Sequence, residues 1–147
     1  MNKTQTIEAM ENARAAHIAQ MDKIELVLKG KEVKNPTVVA QTKCAFGKWL
    51  YADENQVEKI IGELFYTKLE KLHAKWHQEY FRIYELCFKE EKKGFFSKMI
   101  GSKALEPMVL DKVKFYYTEL QETTDALLKV LATSQRRVEA MSESRFE

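Results

Sequence analysis

The sequence predicts an all-α protein, an antiparallel four-helix bundle in which one short helix carries Cys44. Three observations carry that prediction. Glycine (5) and proline (2) are scarce among the 147 residues, so the chain has few places to turn. Apolar residues recur at steps of three and four along most of its length, the spacing of one helical face. All 3 histidines sit on or beside those faces.

The first helix is expected over residues 5–30. Ile7, Met10, Arg14, His17, Met21, Ile24 and Leu28 form one seam, with Glu8, Glu11, Asp22 and Lys23 off it. His17 therefore points inward. Gly30 suits the end of the helix. A polar connection over 31–36 leads to Asn35-Pro36, which reads as a helix start with proline at its first position. A short second helix is expected from about Pro36 to Tyr51, carrying Val38, Val39, Cys44, Phe46, Trp49 and Leu50. Gly47 inside it costs up to ~1 kcal/mol against alanine, which implies a close approach by another backbone or by a metal.

Asp53 is the expected N-cap of a third helix running to about Lys93. Val57, Ile61, Leu64, Phe65, Leu69, Leu72, Trp76, Tyr80, Ile83 and Tyr84 give it a broad apolar face. His73 and His77 stand one turn apart on the same side. The pattern breaks over 94–106, where Phe95-Phe96 is expected to cap the bundle end. A partner or membrane-surface contact is the weaker alternative there. Glu106-Pro107 opens the last helix. Leu110, Val113, Tyr117, Leu120, Thr124, Leu127, Leu131, Ser134, Val138 and Met141 hold a heptad register, which points to packing against a second copy and hence a homodimer. Residues 142–147 are expected to fray. The whole of 1–147 reads as one domain.

Composition narrows the function. A net charge of +2 with interleaved signs argues against nucleic acid. Two cysteines make no disulfide framework, and neither a signal-peptide core nor a membrane-length apolar run is present in the sequence. A cytoplasmic protein with no membrane contact is expected.

His17, Cys44, His73 and His77 are the candidate metal ligands. Singly each has an ordinary explanation: a hydrogen-bonded core histidine, a chance helical pair, a small apolar cysteine. Cys87 takes that last explanation, lying too far past His77 to share a site. Together, four inward polar groups would each cost on the order of 1–3 kcal/mol without partners. A tetrahedral Zn2+ ion satisfies all four through three nitrogens and one sulfur. Ala74 holds the place where a helical zinc protease has its glutamate, and four protein ligands close the coordination shell, so no enzyme is expected. A hemerythrin-like oxygen carrier needs more histidines and bridging carboxylates. A metal-free helical adaptor or dimerisation module is the alternative.

The order His17, then Cys44-x-Phe46-Gly47-x-Trp49, then His73-x-x-x-His77 resembles the chemoreceptor zinc-binding (CZB) domain family. The resemblance covers about residues 10–130. Ala19 departs from it, standing where the family tends to have a bulky apolar side chain. The resemblance implies a stand-alone cytoplasmic sensory domain of bacterial signal transduction, of the chemotaxis or cyclic-di-GMP kind. It implies zinc held by three histidines and one cysteine, frequent dimerisation, and a chemotaxis or other signalling protein as partner. It also implies zinc availability or an oxidant such as hypochlorous acid as the input, with Cys44 the redox-reactive residue. That chemistry has a basis in the residue itself, because a metal keeps cysteine as the reactive thiolate.

Overall fold

The computed structural model describes residues 1–33, 40–88 and 105–146. Among them every regular element is helical: α1 (Lys3–Leu28), α2 (Ala45–Tyr51), α3 (Val57–Ile61), α4 (Glu63–Cys87) and α5 (Pro107–Glu139). Val38, Val39, the helix start at Pro36 and the Phe95-Phe96 stretch lie outside the described residues. No helix among those described is long and apolar enough to cross a membrane.

Helix α1 begins at a capping box. The Asn2 side chain accepts from the Gln5 N–H, and the Gln5 side chain accepts in turn from the Asn2 N–H. Its buried seam is Met10, Ala13, His17, Met21, Ile24 and Val27, close to the predicted face. Helix α5 opens with Pro107 at its first turn, as the sequence predicts.

The long helices run in fixed directions. Trp76, Glu79 and Arg82 of α4 meet Thr124, Thr123 and Glu119 of α5, so α4 and α5 are antiparallel. Arg14 reaches the Leu128 carbonyl, and Tyr117 donates to Glu25, so α1 also runs antiparallel to α5. Helices α1 and α4 are therefore parallel to each other. Phe46 of α2 fills the space between them, with its ring 5.8 Å from His17 and 4.5 Å from His73. In the described residues the bundle thus has three long members, and the short α2 closes the side where the sequence predicts the fourth.

Two local predictions are corrected. Cys44 does not lie within the short helix but caps it, in extended backbone (φ −71°, ψ 161°). The third helix does not run unbroken from Asp53. Asp53–Asn55 form a 3-10 turn, Gln56 adopts a left-handed φ of 47°, and Gly62 at φ 91° separates α3 from α4. Only glycine takes that last conformation without strain. The interruption shifts the register at the start of α4, and Leu64, placed in the core by periodicity, is 64% exposed.

The heptad face of α5 is consumed within the chain. Val113, Tyr117, Leu120, Thr124, Leu127, Leu131, Ser134 and Val138 are all buried against α1 and α4. Its length reflects two intramolecular neighbours, so the register does not by itself require a second copy. Within the tail, Glu143–Phe146 form a 3-10 turn, with Phe146 against the edge of the core.

Candidate metal centre

The four predicted ligands come from α1, the N-cap of α2, and successive turns of α4. His17 is buried, and its Nδ1 donates to the Ala13 carbonyl at 2.7 Å. That bond fixes the tautomer and leaves Nε2 as the lone-pair donor. The ring is held edge-on to Trp76, with centroids 4.5 Å apart.

Cys44 sits where the chain turns into α2. Its sulfur accepts from the Gly47 N–H at 3.2 Å and lies 3.5 Å from the Gln41 carbonyl. The turn is tight enough to explain Gly47. A Cβ there would collide with the Gln41 carbonyl and stand 3.1 Å from Thr42 Cα. The close approach expected at this glycine is thus by backbone. Burial pushes the Cys44 thiol up, while the N–H groups of Gly47 and Phe46 and the charge of Lys48 pull the other way.

His73 is fully buried. Its Nε2 is 3.2 Å from Cys44 Sγ and 3.0 Å from His77 Nε2. Ligand-capable nitrogens of His17, His73 and His77 all lie within 4.8 Å of one another. A tetrahedron with metal–nitrogen bonds of roughly 2.0–2.1 Å has edges of about 3.3 Å, so the separations around His73 suit a shared cation. Burial holds the His73 imidazole down to about 2, and His77 and His17 add to that effect. Burial also lowers His17, partly offset by its bond to Ala13. Both imidazoles are therefore neutral near pH 7, the state in which a ring nitrogen can ligate. Three ring nitrogens and a soft sulfur converging in a largely buried space fit zinc. Cys87, buried in the core ten residues along α4, takes no part.

Residues 17–84 match the family model of the chemoreceptor zinc-binding domain. They belong to that family. The matched stretch begins on His17 and ends in α4, so α5 and most of α1 lie outside it. No curated protein and no solved structure matches the chain. The CZB family binds zinc, and all four candidate residues stand within the match.

Sequence reasoning placed Phe46 in the motif but did not see that it and Trp76 form an aromatic shell around the candidate ligands. Phe46 packs edge-on against His73, and Trp76 lies against both His17 and His77. Trp76 also donates from Nε1 to Thr124 Oγ1 at 2.8 Å, tying the site to α5. Tyr80, stacked on Trp76 at 5.1 Å, donates to Gln20 Oε1 at 2.9 Å and so joins α4 to α1 beside the site. A signal was present: Trp76 precedes His77, and Tyr80 lies about one turn beyond it. Apolar periodicity alone assigns both to the core.

Proposed function

We propose that this chain is a cytoplasmic zinc-binding sensory domain of bacterial signal transduction, with His17, Cys44, His73 and His77 as the ligands. The supporting observation is the convergence on His73 Nε2, which has a thiol sulfur at 3.2 Å and a second imidazole nitrogen at 3.0 Å. A zinc ion bound there supplies a positive charge that holds Cys44 as the thiolate. The residues around it bind and orient. Ala13 fixes His17, Gly47 positions the sulfur, and Phe46 and Trp76 exclude water.

Cys44 is the proposed point of input. Oxidation to the sulfenate replaces a soft donor with oxygen and weakens the site. Because Cys44 caps a helix of only 7 residues, α2 is the element able to move while the long helices stay packed. The receiver is proposed to be a chemotaxis or cyclic-di-GMP signalling protein, and the functional unit a homodimer. No catalytic role is proposed, since four protein ligands leave no open position for substrate.

The test is metal content by elemental analysis of untagged protein purified without added metal, beside Cys44→Ala and His73→Ala. The expected result is about one zinc per chain, lost in both variants. No metal, with both variants folding as the parent does, would leave a metal-free adaptor. Amide exchange tests the moving element. If α2 exchanges identically in the parent and in Cys44→Ser, with and without zinc, it is not a switch.

A further inference from the structure

A groove lies away from the metal centre, between α1 and α5, with a volume of about 460 Å³. Its floor is apolar. Met21 and Tyr117 are buried there, Leu128 is half-buried, and Ile18 stands at one edge with 40% of its surface exposed. Thr118, Gln121, Glu122 and Asp125 are exposed along the other edge, so the groove is an open trough and not a closed pocket.

The rim is negative. Glu25 stands on the α1 side and Glu122 and Asp125 on the α5 side, and no lysine or arginine lines the groove among the described residues. Neither Glu122 nor Asp125 forms an ion pair among those residues. Burial pushes the Tyr117 phenol up, and the carboxylates of Glu25 and Asp22 push it the same way. Cations mark only the ends: Arg14, bonded to the Leu128 carbonyl, and Lys114, one turn before Thr118. The chain as a whole carries +2, so the negative strip is local.

Helix α1 supplies an independent observation. Ala15, Ile18 and Ala19 are exposed and lie off its buried seam, so apolar side chains run round the helix instead of along one stripe. A helix of that kind has neighbours on more than one side. Its principal described neighbours, α5 and α2, leave the flank of Ala15 and Ile18 open.

We infer that this groove docks a basic amphipathic helix of a partner protein, its apolar face on Ile18, Met21 and Leu128 and its lysines or arginines against Glu25, Glu122 and Asp125. The inference goes beyond the metal reading and does not depend on what His17 binds. Length fits: from Tyr117 to Leu128 α5 rises about 16 Å, so about three turns of a helix lie along it. Helices that dock in this way place side chains at steps of three and four into an apolar trough. Charge selects among the occupants. A second copy seated about a twofold axis on the groove sets the three carboxylates against their own counterparts, which is repulsive. The headgroups of an anionic membrane meet the same repulsion. A helix with basic flanks is attracted instead. In a sensory chain the partner so bound is the receiver, and the bond from Trp76 to Thr124 joins the groove floor to the ring packed on His17.

The test is binding of a fluorescein-labelled, alanine-based peptide of about 18 residues, long enough to be helical, with leucines at steps of three and four and lysines on both flanks. Its twin carries glutamate in place of lysine. Anisotropy gives the affinity, and amide exchange of the full chain with unlabelled peptide gives the place. The lysine peptide should bind at least about tenfold more tightly than its twin and weaken several-fold between about 0.05 and 0.5 M salt. Exchange should slow from Arg14 to Glu25 and from Tyr117 to Leu128. Glu122→Lys combined with Asp125→Lys should weaken binding about tenfold or more, and Ile18→Ser roughly tenfold. Both carboxylates are exposed, so the charge-reversed chain keeps the test decisive even if Ile18→Ser fails to fold. No binding to the parent, equal binding to the charge-reversed chain, or protection confined to other helices overturns the inference. Sedimentation equilibrium covers the remaining occupant. A parent dimer that the charge-reversed chain or Ile18→Ser loses makes the groove a contact between copies, which overturns the inference as well. Zinc content of the same samples is read separately, so failure here leaves the metal centre standing.

Discussion

Gly47→Ala is the most informative single substitution. The added methyl falls on the Gln41 carbonyl and within 3.1 Å of Thr42 Cα. Both are backbone, so no side chain can swing aside. Alanine gains up to ~1 kcal/mol of helix preference over glycine, while overpacking costs typically ~1–3 kcal/mol. Set against the full helix gain, the net loss of stability is therefore between about 0 and 2 kcal/mol. The effect on metal should be larger in proportion. Gly47 holds the Cys44 sulfur through its N–H at 3.2 Å, and the methyl must push α2 away from the turn that carries Cys44. Metal sites tolerate displacements of only about 0.2 Å, so zinc affinity should fall by roughly 10–100-fold. Competition against a chromogenic chelator measures the affinity, and urea unfolding measures the stability. A variant with the parent's zinc affinity and unfolding midpoint would refute the argument that this glycine exists to let the turn close.

Other consequences are as direct. In metal-free protein the folded pKa of His73, about 2, lies below the unfolded value of 6.5, and His17 is lowered too. The unfolded chain then takes up protons first, so stability is full above pH 6.5 and is lost on acidification. The slope should approach about 1.4 kcal/mol per pH unit from His73, with His17 adding in the same direction. Urea unfolding in chelator at about pH 7.5, 6 and 5 tests this, and a flat profile refutes it. Trp76→Phe keeps an aromatic ring but removes the 2.8 Å bond to Thr124, and should cost about 1–3 kcal/mol with little change in helix content by circular dichroism. Glu119→Ala breaks a 3.7 Å pair with Arg82 between side chains that are 52% and 41% exposed. It should shift the unfolding free energy by less than about 1 kcal/mol, and a larger loss would mean the pair is not screened.

The helical class, the direction in which His17 faces and the one-turn spacing of His73 and His77 are legible in the sequence, because each follows from a period of 3.6 residues. The four proposed ligands stand out as a set for a different reason: donor chemistry singles them out of an otherwise apolar pattern. The features that escape the pattern depend on single backbone positions. Nothing in periodicity announces that Gln56 turns left-handed, or that Gly62 ends one helix and starts another, and Leu64 is misplaced as a result. Cys44 reads as a helical residue although it is the cap, because helix boundaries are set by local hydrogen bonds that apolar spacing does not encode. The heptads of α5 are real, but the pattern cannot say whether the apolar partner belongs to the same chain or to another.

Trp76 stands between the histidines and α5, its ring against His17 and its N–H on Thr124. The other tryptophan, Trp49, is buried in α2, the helix that Cys44 caps. Both indoles of the chain therefore sit at or next to the candidate site, Trp76 on the packed α4 and Trp49 on the short helix proposed to move. Metal loading, acid release and thiol oxidation can each be followed by intrinsic fluorescence in unlabelled protein. Trp76→Phe and Trp49→Phe then separate the signal of the helix junction from that of the short helix.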